Sequence, residues 1–317
     1  MSLSLTAAPD DSGRRLDRIL RKALRELPLS AIHRLLRKGA VLVDGKSAPA
    51  DYRIRTGQSI IIESENVVLS GTAEVNAGKS TGTCKLDILF EGAGLLVLNK
   101  PAGIVVHGTG GRRNGSLEDQ VRSYLRPKIS PSLSFRPGPL HRLDKPSSGI
   151  IAFSTSLEGA SLFSALMRER KIKKFYLALV EGSIKSDETW QDELVRDRNR
   201  RKTVTEPGAD KAKSALTRVA PLAENSFCTL ILAEIKTGRT HQIRVQAASH
   251  GHPLLGDRKY GGHAFPSDFT AGGSAGQGFL LHAWRMEFPP DLSLPVLIEA
   301  PLPDYFQRKV TELFPGR

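Results

Sequence analysis

Only two cysteines, Cys84 and Cys228, occur in 317 residues. They are too few for a disulfide framework and too far apart for a thiolate zinc site, so they read as buried thiols. No apolar run approaches the roughly 20 residues that a membrane span requires. Met1 to Asp11 lacks a basic stretch leading into a long apolar block, so no secretory signal is expected and the protein is placed in the cytoplasm. Acidic residues are in deficit. There are 33 Asp and Glu against 46 Lys and Arg, a formal charge of +13, and a surplus of that size makes a polyanion the expected partner. Internal repeats are missing, and strand and helix patterns do not alternate regularly. A length of 317 residues leaves room for two domains.

The surplus charge is concentrated at the N-terminal end, where Arg14 to Arg55 hold 12 Lys and Arg against 4 Asp and Glu. Leu16, Ile19, Leu20, Ala23, Leu24 and Leu27 recur at the spacing of one helix face, with Asp11 or Ser12 available as the cap. A second helix is predicted after Pro28, capped by Ser30, burying Ile32, Leu35 and Leu36 and stopping at Gly39. Its other face carries Arg34, Arg37 and Lys38. Val41 to Val43 reads as a strand, Asp44-Gly45 as a tight turn and Ser59 to Ile62 as a further strand. The segments RRLDRIL, AIHRLLRKGAVLVDGK and GQSIII resemble the alpha-L RNA-binding module of a small-subunit ribosomal protein. That resemblance implies an RNA-binding domain over residues 13–64, with Arg34, Arg37 and Lys38 toward the RNA.

Residues 65–84 turn to Ser, Thr, Gly, Ala and Asn without periodicity and read as a linker. Within them, 73–80 nearly fits a phosphate-binding loop. Ala73 replaces its first glycine, however, and Thr81-Gly82-Thr83 would break the helix that must hold the phosphates, so no nucleotide is expected. Beyond the linker come strand-like runs at Leu86 to Phe90, Leu95 to Asn99, Gly149 to Phe153, Tyr176 to Val180 and Thr229 to Ile235. A helix is predicted over Leu157 to Arg168. Residues 85–317 therefore read as one α+β domain with a mixed, mostly antiparallel sheet.

Three segments carry chemistry. In Leu140-His141-Arg142-Leu143-Asp144-Lys145 an acid lies between cations on a loop; held ionised, Asp144 is suited to act as nucleophile or base. Thr237-Gly238-Arg239-Thr240 can cap a helix from His241 to Gly251, which places Arg239 at a positive helix end suited to phosphate. Within that helix His241, Arg244 and Ala248 share one face, and Ile243 and Ala247 can pack inward. Arg168, Arg170, Lys171, Lys173 and Lys174 directly precede Phe175-Tyr176, and cations beside aromatics suit gripping a nucleic-acid backbone and stacking a base. Arg196, Arg198, Arg200, Arg201 and Lys202 form another basic loop, which reads as solvated.

LNKPAGIVVH (98–107), LHRLDKPSSGI (140–150), KKFYLALVEG (173–182) and TGRTHQIRVQAASHGHPLLGDRKYGG (237–262) resemble the ordered motifs of RluA-type pseudouridine synthases. The resemblance implies that Asp144 is the catalytic aspartate, that Arg244 is its ion-pair partner and that Tyr176 stacks on the target uracil. It also implies that Arg142 fills the space left by the flipped uridine. Lys173 and Lys174 are expected against RNA, and large-subunit ribosomal RNA is the expected substrate of a monomeric enzyme needing no cofactor and no metal. Pro146-Ser147 stands where the family commonly has Asp-Thr, and Gln246 replaces a common His. The alternative is a non-catalytic RNA-binding ribosome assembly factor. It accounts for the charge but leaves Asp144, Tyr176 and Arg244 without a shared purpose.

Overall fold

The computed structural model describes residues 2–24, 26–63, 85–108, 115–129, 132–197, 202–263, 278–290 and 292–315. The linker, the segment like a phosphate-binding loop, Cys84, Arg198, Arg200 and Arg201 lie outside them. No helix among the described residues is long and apolar enough to cross a membrane.

The N-terminal unit is built from β1 (Ser2–Thr6), α1 (Leu16–Ala23), α2 (Leu29–Arg37), β2 (Val41–Val43), β3 (Lys46–Ser47) and β4 (Ser59–Glu63), its strands in the order β1-β4-β2-β3. The helical stripe buries as its spacing requires. Leu16, Ile19, Leu20 and Ile32 are fully enclosed with Val41, Ile54, Ile60 and Ile62, while Arg34, Arg37 and Lys38 stay exposed. Asp44 and Gly45 both take positive φ, 49° and 78°, which closes the β2–β3 hairpin with a twist that matches the strands. Strand β1 has no forewarning in the sequence: it is five residues long and buries only Leu5.

The expected caps are different. Arg15 is the N-cap of α1 and Pro28 that of α2, neither with a side-chain cap bond. Asp11 instead joins the two halves of the molecule. Its buried carboxylate accepts Ala8 N–H (2.9 Å), Leu133 N–H (3.0 Å), Ser134 N–H (2.9 Å), and the hydroxyls of Ser132 (2.7 Å) and Ser134 (2.6 Å). Asp10 accepts Leu157 N–H at 2.8 Å, and Arg14 donates to Ser134.

The larger unit comprises β5 (Ile88–Gly92), β6 (Leu95–Lys100), α3 (Leu117–Leu125), β7 (Gly138–Pro139), β8 (Ser148–Ser154), α4 (Leu157–Arg168), β9 (Lys173–Glu181), β10 (Glu188–Asp197), β11 (Lys202–Thr205), β12 (Lys213–Glu224), β13 (Cys228–Ile235), α5 (Gln242–Ser249), β14 (Leu281–Glu287), β15 (Leu297–Glu299) and α6 (Asp304–Leu313). Among the described residues eleven strands form one sheet, its main path β11-β10-β12-β13-β9-β14-β8-β6-β5. Every described pairing is antiparallel except β14 with β8, where His282 lies opposite Ser148 and Ala283 opposite Gly149. At that junction Gly149 has φ +102°, and a Cβ there would meet the Ala283 carbonyl oxygen at 2.2 Å, so only glycine fits. The apolar runs of β6, β8, β9 and β13 are buried, as uninterrupted Leu, Val and Ile predict for central strands.

Candidate active site

Asp144 sits on the loop between β7 and β8. Two bonds shape that loop: Ser147 N–H donates to the Asp144 carbonyl at 3.1 Å, and Gly103 N–H to the Lys145 carbonyl at 2.7 Å. His141 folds back on β8, its Nε2 accepting Ala152 N–H at 3.0 Å, and burial with the nearby Lys174 charge lowers it to about 3. An imidazole that accepts there is neutral.

The Asp144 carboxylate faces α5. Arg244 Nη1 donates to Asp144 Oδ2 at 2.7 Å, so residues 100 apart in sequence meet as an ion pair. The other edge of the same guanidinium binds Asp257, with Nε to Oδ2 at 2.7 Å and Nη2 to Oδ1 at 2.8 Å. This bidentate fork is nearly dry: the Arg244 side chain is 7% exposed and that of Asp257 2%. Burial works against the Arg244 charge, but the two carboxylates outweigh it and raise its titration further. Aromatic faces complete the grip, with the guanidinium 5.0 Å from the Tyr260 ring centroid and 4.2 Å from that of Phe279.

Helix α5 runs from Gln242 to Ser249, beginning where expected, and His241 is its N-cap in the left-handed conformation (φ 57°, ψ 26°). Ile243 and Ala247 pack inward, while Gln246 is fully buried and donates to the carbonyl of Trp190 and the carboxylate of Asp192, away from Asp144. Arg239 is exposed, and its Nε donates to the Ser214 carbonyl at 3.1 Å, which ties the loop to β12. Gln242 Oε1 accepts Arg239 N–H and the Thr237 hydroxyl, so the helix holds its own approach loop.

Tyr176 lies on β9 opposite Ala233 and Ala283 and is buried; desolvation, then the Asp144 charge, push its phenol upward. Its neighbours on the strand diverge because adjacent residues face opposite sides. Lys173 is exposed and paired with Glu287 at 3.2 Å, whereas Lys174 is only 8% exposed and burial lowers it to about 8. Lys174 therefore does not share an outer surface with Lys173, contrary to the sequence expectation. Lys100 is also enclosed and lowered to about 8 by burial against the pull of Asp144, its ammonium donating to the carbonyls of Pro101 and Lys145. Arg142 is exposed on the Asp144 loop, with no hydrogen bond or ion pair among the described residues.

Asp257 and Tyr260 belong to the site although sequence reasoning does not single them out, even with GDRKYGG inside the last of the four motifs, and His241, expected on the Arg244 face, joins them. The β10–β11 hairpin, expected to be merely solvated, brings Arg196 within electrostatic reach of His241 and Lys259, and Lys202 to 5.7 Å from the Tyr260 ring. Asp144 thus lies in a mostly enclosed site with a cationic rim, an arrangement that attracts an anionic chain while keeping one carboxylate available for chemistry.

Comparison with known proteins gives the family. The profile of the RNA pseudouridylate synthase family matches residues 94–249, which include Asp144, Tyr176 and Arg244. Ribosomal large subunit pseudouridine synthase C of Salmonella typhimurium is 33% identical over 310 residues, covering 95% of this chain and 93% of that protein. Ribosomal large subunit pseudouridine synthase D of Nitrosomonas europaea is 32% identical over 309 residues, covering 96% and 85%. Among solved structures, human RNA pseudouridylate synthase domain containing 4 has a TM-score of 0.58 at 23% identity, covering 72% of this chain and 92% of that one, a likeness of fold. The chain belongs to the RNA pseudouridylate synthase family. It is an RluA-type enzyme that isomerises uridine in RNA to pseudouridine.

Proposed function

We propose that the enzyme acts on large-subunit ribosomal RNA in the cytoplasm, with Asp144 as its catalytic carboxylate. The observation that carries this reading is the Asp144–Arg244 contact at 2.7 Å within a mostly enclosed site. The net reaction breaks the bond between C1′ and N1 of uracil, forms one between C1′ and C5, and moves a proton from C5 to N1. Mass and redox state are unchanged. An ionised carboxylate can attack the sugar or the ring, or remove the sugar proton that begins elimination, and Arg244 holds it in place for any of these.

A uridine in folded RNA must first leave its stack, at a cost of a few kcal/mol. Tyr176, within electrostatic reach of Asp144, stacks on the extruded base, and the exposed Arg142 on the Asp144 loop occupies the gap. Residues 13–64 act as an RNA-binding domain with Arg34, Arg37 and Lys38 on its outer helix face, residues 85–317 as the catalytic domain, and Lys173 and Arg239 as phosphate contacts. The names of the curated relatives support the choice of ribosomal RNA.

Asp144→Asn keeps the shape and removes the charge. It is expected to fold and bind RNA while tritium release from uridine labelled at C5 falls by at least about 10³-fold, since an amide is a poor nucleophile and a poor base. Release near the wild-type rate would remove Asp144 from the chemistry.

A further inference from the structure

One chain of polar contacts in the site is not explained by binding or charge alone. Thr203 N–H donates to the Tyr260 phenol oxygen at 3.2 Å, that oxygen lies 2.7 Å from His241 Nδ1, and His241 Nε2 lies 3.5 Å from Asp144 Oδ1. Its direction follows from what each group can do. The Asp144 carboxylate decides the ring: with the proton on Nδ1 the Nε2 lone pair would face a carboxylate oxygen, so the proton is placed on Nε2, toward Asp144. Nδ1 is then an acceptor, and the Tyr260 phenol, whose oxygen accepts Thr203 N–H, donates its own proton there.

We propose that His241 is a positioning residue for Asp144: locked by Tyr260 with its proton on Nε2, it holds Oδ1 while Arg244 holds Oδ2, and so fixes the plane of the carboxylate. This rests on the reading that Asp144 carries the chemistry. Geometry built around the contact supports it. His241 is kept in a left-handed backbone conformation that few side chains adopt without strain, and the consequence is that its ring reaches both Tyr260 and Asp144. Burial, with the repulsion of Arg244, Lys259 and Arg196, outweighs the attraction of Asp144 and lowers the imidazole to about 4. A neutral donor orients the carboxylate without adding a second cation that would blunt its reactivity. At 3.5 Å the pair is an electrostatic contact rather than a formed hydrogen bond, and catalytic contacts of this kind often shorten once the substrate is bound.

Two substitutions separate reach from folding. The amide nitrogen of Asn occupies the position of Nδ1 and falls short of Asp144, whereas that of Gln extends to about the position of Nε2. Asn tolerates the left-handed conformation better than Gln, so thermal stability is expected to follow the order His241→Asn above His241→Gln. Activity is expected to follow the opposite order. In single-turnover tritium release with full-length protein and an RNA substrate, H241N should lose about 10²-fold in rate with its RNA Kd within about twofold of wild type, and H241Q should recover to within about tenfold. Tyr260→Phe should lower the rate in wild type but add little on top of H241N, because the two residues act in one chain. Rates that track stability, with H241N at or above H241Q, would overturn the proposal, as would two variants within about threefold of wild type. Asp144→Asn assayed alongside keeps the two readings apart. If it is inactive while H241N is fully active, only the role of His241 falls; if it is active, the assignment of Asp144 falls first.

Discussion

Asp257 binds Arg244 through nitrogens other than the one that holds Asp144, yet its substitution is expected to be felt both in stability and in rate. The side chain is 2% exposed and accepts two of the three charged bonds made by Arg244, at 2.7 and 2.8 Å. Asp257→Asn preserves volume but replaces one accepting oxygen by an NH2 that meets another N–H donor. Breaking a buried ion pair from one side costs about 3–5 kcal/mol. Here Asp144 remains to compensate the guanidinium, and the Asn oxygen still accepts one bond, so a loss of about 2–3 kcal/mol is expected. The denaturant midpoint reports it, and because the pair is shielded from solvent the loss should persist in about 1 M salt, where an exposed pair would be screened. The rate should fall as well. With Asp257 charged, one cation is shared between two carboxylates; with Asn there, the whole of it bears on Asp144 and makes that carboxylate a weaker base and nucleophile. A drop of about 10-fold to 10²-fold in single-turnover rate, with unchanged RNA affinity, is the expected result. A variant within about 0.5 kcal/mol of wild type with an unaltered rate would refute the view that Arg244 is held from behind.

Two further expectations concern the N-terminal unit. Changing Arg34, Arg37 and Lys38 together to Ala should flatten the salt dependence of RNA binding by about 0.7 to 0.9 in slope for each phosphate that these side chains neutralise, and an unchanged slope in a salt titration would return that face to plain solvation. Asp11→Ala should destabilise the protein by about 2–4 kcal/mol, since it strands buried donors from both halves. Burial raises the Asp11 carboxyl, but its hydrogen bonds to Ser134, Leu133, Ser132 and Ala8 more than offset this and leave it below 3.8. A folded value below the unfolded one means that its contribution is complete above about pH 4 and is lost as pH falls through the folded value. The acid limb of a stability-versus-pH curve should accordingly be shallower in D11A than in wild type; parallel limbs would show that Asp11 does not contribute this way.

What can be read from the sequence follows from how local each signal is. Helix α4 occupies Leu157–Arg168 as expected because its apolar stripe and the flanking Ser156 cap are contained in one short stretch. Strands β6, β8, β9 and β13 are visible as unbroken apolar runs, but β10 and β12 expose Gln191, Glu193 or Arg218 between buried residues and β14 mixes His282, Arg285 and Glu287 into its apolar positions, so no run announces them. The same contrast governs the site. Motifs point to Asp144, Tyr176 and Arg244, and the structure brings them together. The partnership of Arg244 with Asp257 has no such signal, since it depends on where a turn 13 residues further on is placed. Arg239 stands at the helix end as expected, and the further bond from its Nε to the Ser214 carbonyl, 25 residues back, is announced by no local pattern. Adjacency groups Lys174 with Lys173, and strand alternation separates them.

The parallel junction of β14 against β8, the one such pairing among the described residues, bears on how the enzyme is made rather than on what it does. Ser148 there contacts His282, 134 residues away, and Asp144 finds Arg244 across 100. Contacts so distant in sequence form late, after the chain has met the entropy of closing large loops. On the ribosome, the loop carrying the carboxylate is synthesised well before β14 exists to anchor the strand that follows it. A nascent chain therefore has no working centre until almost all of its sheet has assembled, and recovery of activity on refolding becomes a clock for the last step of folding.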